Sequence, residues 1–124
     1  MAEATPRDTC MQIVGSGAFD YSWYQTISYN EAASQKEGDY VGWEASLGME
    51  DPLTDETLHR PLNHETVMKA LRALASKDNP PKYATSAARV NARRMFTDPD
   101  DADFDAASAD EVVQIAVYGE IFFG

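Results

Sequence analysis

Six side chains carry the chemistry this sequence offers most plainly. Arg89 and Arg93 stand four apart and Arg94 follows at once. They lie in a stretch, Lys82 to Thr97, that holds four positive charges and no acid. Four-residue spacing puts Arg89 and Arg93 on one helical face. Paired guanidinium forks suit phosphate or carboxylate. The aromatic partners would be Tyr21, Trp23 and Tyr24, whose rings could stack a base while the arginines hold its phosphates. That anion pocket requires the strand bearing the rings to lie near the helix bearing the arginines. Two plainer readings compete with it. The arginines would pair with the acidic segment that follows them. The rings would be core, or a seam between subunits.

Other constellations are weaker. Asp101, Asp103 and Asp105 share the D-x-D-x-D spacing that opens a calcium loop. Position six is Ala106 rather than glycine, position twelve is Val112, and Glu111 falls one residue short. A solvated acidic loop is the preferred reading. The same stretch, Asp98–Asp105, is the sole support for a metal-dependent hydrolase or nucleotide-processing enzyme. Gly15-Ser16-Gly17 has Asp20 where a dinucleotide fingerprint needs its third glycine. His59 and His64 belong to no H-E-x-x-H or Cys/His pair, so no zinc site is expected. A triad drawn from Cys10, Ser16 and a histidine has no G-x-S-x-G motif behind it. No catalytic set, metal or cofactor is therefore expected.

The elements that must position these groups follow from periodicity. Residues 8–19 read as a short helix with Cys10, Met11, Ile13 and Val14 on one stripe, capped by Asp8 or Thr9 and ended by Gly15 and Gly17. A strand running into a turn is the rival. Residues 21–30, YSWYQTISYN, read as a strand with Tyr21, Trp23, Gln25, Ile27 and Tyr29 on one face and Tyr24 and Thr26 on the other. A polar loop over 31–38 and a second strand over 39–47 follow. GMEDPLTDE is a turn region, and residues 57–62 are extended. Asn63 caps a helix whose stripe is Val67, Met68, Leu71, Leu74 and Ala75, stopped by Asn79-Pro80-Pro81. A second helix runs from Thr85 to Phe96, with a narrow stripe of small residues. Residues 97–110 read as an acidic loop and 111–123 as a strand apolar on both faces, with Gly119 as a bulge. A strand of that kind needs cover on both sides, from this chain or from a partner subunit.

Composition bounds the partners. The chain has 124 residues, long enough for one domain with its own core. It carries 21 acidic against 10 basic residues, a net charge of −11. Such a surface repels nucleic-acid phosphates and anionic membranes. No apolar run approaches the ~20 residues of a membrane span. Acidity also fits a DNA mimic, but seven of the acids crowd between Asp98 and Glu111 rather than spreading along one face. One cysteine, Cys10, allows no internal disulfide, which points to a reducing compartment. The N-terminus reads as no signal peptide.

Two passages together carry a resemblance. SGAFDYSWYQTIS sets a small-residue turn before a Tyr-x-Trp-Tyr strand, and DEVVQIAVYGEIFFG ends on Tyr-Gly-Glu-Ile-Phe-Phe-Gly. Between them lies TLHRPLNHETVMKALRALAS, an extended piece leading into an amphipathic helix. This order resembles a family of small, mostly uncharacterised tailed-bacteriophage proteins of the actinobacteriophage type, over about residues 8–124. The resemblance implies a phage source, the cytoplasm of an infected bacterial host, and a fold. It implies no activity and transfers no catalytic residue.

The reading is thus one α+β domain over 1–124, with residues 1–7 flexible. A small, mostly antiparallel sheet carries two or three helices packed on one face. A homo-oligomer is expected from the two-sided terminal strand. The expected role is non-enzymatic: binding a host protein or a small nucleotide ligand, in counter-defence. The alternatives are the small hydrolase, a virion or assembly component, and an acidic DNA mimic.

Overall fold

Asn63 shows how local chemistry sets this fold. Its side-chain oxygen accepts from the Thr66 N–H at 2.9 Å, while Thr66 Oγ1 accepts from the Asn63 N–H at 2.9 Å. This reciprocal cap satisfies donors that a helix start leaves orphaned. In the computed structural model, which describes residues 3–34 and 40–124, the cap ends one strand and starts one helix. The strands are β1 (Tyr24–Tyr29), β2 (Glu44–Glu50) and β3 (Thr57–Asn63). The helices are α1 (Pro6–Ile13), α2 (Glu31–Ser34, one turn), α3 (His64–Ala75), α4 (Ser86–Thr97) and α5 (Ala106–Tyr118). This is the α+β architecture expected.

The sheet is an antiparallel meander in the order β1-β2-β3. Ala45, Leu47 and Met49 of β2 are buried on one face of the sheet, and α3 and α5 pack against the sheet at β3. The register slips between Tyr24 and Thr26, a bulge that puts Tyr24 opposite Met49 and Ile27 opposite Leu47. Tyr24 therefore joins Ile27 on the core face. The alternation expected from the sequence separated them, because a strict two-residue period has no place for the extra residue. β1 also begins three residues later than expected, with Tyr21–Trp23 forming the turn before it. The second strand spans Glu44–Glu50 instead of 39–47, and Asp39 lies outside the described residues. Of the polar loop expected at 31–38, residues 31–34 form α2 and 35–38 lie outside the described residues.

On the opposite face Gly48 leaves room for its neighbours. A Cβ there would sit on Thr26 Oγ1, with Thr57 Cγ2 at 3.1 Å and His59 Cε1 at 3.3 Å. Gly48→Ala is expected to destabilise the protein by about 1–3 kcal/mol through overpacking between strands. Urea denaturation measures this, and a midpoint equal to wild type would refute the close approach.

The core runs between the sheet and the helices. Val67, Met68, Leu71 and Leu74 of α3 are buried, as their spacing predicts, and Ala70 joins them. α4 buries the small residues Ala88 and Ala92 together with Asn91 and Met95, and starts at the Thr85 cap. The cap of α1 is Thr5, not Asp8 or Thr9: Thr5 Oγ1 accepts from the Asp8 N–H and Asp8 Oδ2 accepts from the Thr5 N–H. Thr9 is instead fully buried, taking the Trp43 indole N–H at 3.2 Å and lying 2.9 Å from His64 Nδ1. Within the lead-in expected to be flexible, Ala4 is buried and its N–H donates to Met95 O. Residues 1 and 2 lie outside the described residues.

The largest correction concerns the C-terminal third. The strand expected over 111–123 is the helix α5. Asp105 caps it by accepting from the Ser108 N–H at 2.7 Å, and Gly119 closes it in the left-handed conformation, φ 83°. Glycine tolerates that conformation because it has no Cβ. Every residue from Ser108 to Ile115 is buried. A helix wrapped on all sides shows no polar stripe, so its pattern matches that of a strand covered on both faces. The chain's own elements supply this cover: α5 touches α1, α3, α4 and β3. Residues 111–118 therefore need no partner subunit to cover them, which was the ground for expecting a homo-oligomer. No helix among the described residues is long and apolar enough to cross a membrane.

Candidate functional site

α5 carries a polar row at Asp110 and Gln114, one helical turn apart, in the middle of its buried surface. Asp110 is 3% exposed. Its Oδ1 accepts from the Trp23 indole N–H at 2.8 Å and from the Tyr24 hydroxyl at 2.6 Å, and its Oδ2 accepts from Gln114 Nε2 at 2.7 Å. Burial raises the Asp110 pKa above the usual carboxylate value, outweighing the three donors that favour the ion. The same burial, with the negative charge beside it, drives the Tyr24 hydroxyl far up.

Gln114 is fully buried and ties down the end of the chain. Its Oε1 accepts from the Phe122 and Phe123 N–H groups, both at 2.9 Å, and its Nε2 donates to Phe123 O at 2.8 Å. The side-chain amide thus serves residues 122 and 123 as a neighbouring peptide group would in a sheet. This tether lays the Phe123 ring nearly parallel to Trp23, centroids 5.2 Å apart. Tyr21 is parallel to Trp23 at 4.7 Å. Offset parallel rings at these distances attract beyond their buried area.

Between this stack and the start of α4 lies an open cleft of about 620 Å³, a volume in the range of small-ligand pockets. Tyr21, Trp23, Phe122 and Phe123 line it, with Asp110 and Glu111 as its acids and Tyr83 at its side. Glu111 holds the far wall, accepting from the Thr85 N–H at 2.8 Å and the Thr85 hydroxyl at 2.6 Å. Tyr83 is 76% exposed, and its backbone is left-handed, φ 67°. That conformation is uncommon for a bulky residue and holds an aromatic ring out in solvent beside the cleft.

The six residues singled out in the sequence fall into two groups. Tyr21 and Trp23 line the cleft, and Tyr24 lies beneath it on Asp110. The arginines do not line it. Arg89 Nη2 donates to Ser76 O at 3.5 Å and Arg93 Nε to Ala75 O at 3.4 Å, so both serve carbonyls at the C-terminal end of α3. Arg94 pairs with Asp101 at 3.4 Å, the internal pairing weighed for the acidic segment. The pocket that would combine rings with arginines is therefore not assembled, and the ionisable acids of the cleft oppose a phosphate.

The acidic loop does not converge on a cation. Asp105 caps α5, and its hydrogen bonds to Ser108 lower its pKa. Asp101 faces Arg94. Among the described residues no three His, Cys, Asp or Glu side chains are grouped to hold a metal. His59 sits on the open sheet face and His64 begins α3, where burial lowers its pKa. Cys10 is buried, and its thiol is pushed up to about 11, away from the reactive thiolate.

Sequence reasoning missed Asp110, Glu111, Gln114, Tyr83 and Phe123. The signal for the central pair was present as Asp110-x-x-x-Gln114, a polar row at helical spacing, but it shows only once the segment is read as a helix. No family model, curated protein or solved structure matches the chain.

Proposed function

We propose that the protein works by binding: a phage accessory protein, acting in the cytoplasm of the infected host, that docks on a host protein through the aromatic cleft at the end of α5. The observation that carries this reading is the parallel Tyr21–Trp23–Phe123 stack beside an open cleft, with Tyr83 held out in solvent next to it. Exposed aromatic surface around a pocket is the kind that anchors protein interfaces. The net charge of −11 favours a basic partner surface and speeds encounter with one. The sequence resemblance supports the phage setting, and counter-defence is the role that fits a small binding protein there. Capture of a nucleotide is disfavoured, because Arg89 and Arg93 serve helix carbonyls while Asp110 and Glu111 border the rings.

A photo-crosslinking residue at position 83 tests the docking face. A discrete host protein should be captured from infected cells at position 83 and not at position 59, on the open sheet face. Phe122→Ser should abolish the capture. Equal capture at both positions, or none at 83, would count against the cleft as the docking face.

A further inference from the structure

Resting on that reading of the cleft, we infer that its occupant is a basic side chain, an arginine guanidinium presented by the partner protein. Three independent features converge on a flat cation. The carboxylate side chains that line the cleft are Asp110 and Glu111, and among the described residues neither Lys nor Arg lines it. Both acids are nearly buried, so their field is screened less than that of a surface carboxylate. Hydrogen bonds do not exhaust them: Asp110 Oδ2 accepts from Gln114, and each Glu111 oxygen accepts one bond from Thr85. A carboxylate oxygen has two acceptor positions. The rings supply the second feature, since π faces attract cations and a guanidinium stacks on them as an ammonium does not. The third is the whole molecule, whose charge of −11 repels an anionic competitor before it arrives.

The alternatives elsewhere are weaker. The open sheet face around Thr26, Ser46 and His59 is shallow, and no acid among the described residues lines it to meet a cation. The Arg89–Arg93 pair lies against helix carbonyls; Arg89 Nε is buried without a hydrogen-bond partner among the described residues, but neither guanidinium lines the aromatic cleft.

The two tryptophans make the test internal. Trp23 lines the cleft with its N–H on Asp110, while Trp43 is buried with its N–H on Thr9. In ¹⁵N-labelled protein their indole signals report the two places separately. Titration with acetyl-Gly-Arg-Gly-amide at millimolar concentration should shift the Trp23 signal saturably and leave Trp43 in place. The citrulline peptide, equal in shape and neutral, should shift it little. Glu111→Gln should weaken the arginine peptide about two- to fivefold, the size of one cation contact. Tyr83→Asn, compatible with the left-handed backbone, should weaken it to a similar degree, and a retained amide spectrum shows that each variant is folded. If citrulline binds as well as arginine, the cationic assignment fails while the cleft remains a binding site. If adenosine monophosphate shifts Trp23 and arginine does not, the assignment is overturned. No shift with any peptide overturns it as well, and crosslinking at position 83 then decides the docking face separately.

Discussion

Gln114→Leu is expected to lower stability by about 2–4 kcal/mol and to release the end of the chain. Leucine nearly preserves the volume, so the loss is one of hydrogen bonding rather than of a cavity. Four bonds disappear: those from the Phe122 and Phe123 N–H groups, that to Phe123 O, and that to Asp110. An orphaned buried polar group costs about 1–3 kcal/mol. Water can satisfy part of the tail once it lifts, since Phe122 is half exposed, which holds the total below the sum of four such losses. The Asp110 oxygen stays buried and bears the full effect. Phe123 then leaves Trp23, so Trp23 emission should shift to the red along with the lower urea midpoint. A variant as stable as wild type, with unchanged tail signals, would show that the Gln114 clamp does not hold the cleft wall.

That clamp also explains which parts of the fold were legible. α3 was readable because its cap, stripe and proline stop are all local, and each lies within a few residues of the feature it controls. Residues 57–62 and α4 were readable for the same reason. α5 was not. Val112, Val113, Ile115 and Val117 are β-branched and favour strands, and helix formation here rests on burial against three other helices, which no local window contains. The local signals that would have corrected the reading were Asp105-x-x-Ser108 at its start and Gly119 at its end. Both lay inside segments already read as loop and bulge. The same limit applies at Tyr24, where one inserted residue in β1 turns the ring from the outer face to the core.

The site was half legible. An aromatic cluster at residues 21–24 was visible as composition, and two of its three rings do line the cleft. Its neighbours were not visible, because contacts spanning 86 and 87 residues, from Tyr24 and Trp23 to Asp110, are set by how α5 packs. Arg89 and Arg93 were read correctly as one helical face. Their partners are uncharged carbonyls at the end of α3, and backbone carbonyls leave no mark in a sequence. Acids were therefore the natural partners to expect, and Arg94 alone found one.

Asp110 is where stability and site meet, and removing its side chain is expected to have the largest effect. Asp110→Ala strands the Trp23 indole, the Tyr24 hydroxyl and Gln114 Nε2 without their acceptor. Each stranded buried donor costs about 1–3 kcal/mol, and water entering from the open cleft offsets part of the sum, so the total is about 3–5 kcal/mol. Asp110→Asn is milder, about 1–3 kcal/mol. Its amide oxygen can still accept from Trp23 and Tyr24, but its NH₂ then faces the NH₂ of Gln114. Gln114 cannot turn over without abandoning Phe122 and Phe123. The pair of variants also fixes the sign of a pH effect. Burial raises the Asp110 pKa above its unfolded value of 3.8, so the folded protein holds this proton more readily than the unfolded chain. Stability rises with pH only where the unfolded state binds more protons, and here it binds fewer. The contribution of Asp110 is thus most favourable below pH 3.8 and declines as pH climbs through the raised value. Asparagine has no proton to exchange. Wild-type stability minus that of Asp110→Asn, from urea midpoints across the acidic range, should therefore shrink with rising pH and then level off. A difference that grows with pH would mean that the three donors outweigh burial, and that the cleft floor is a stabilised carboxylate rather than a strained one.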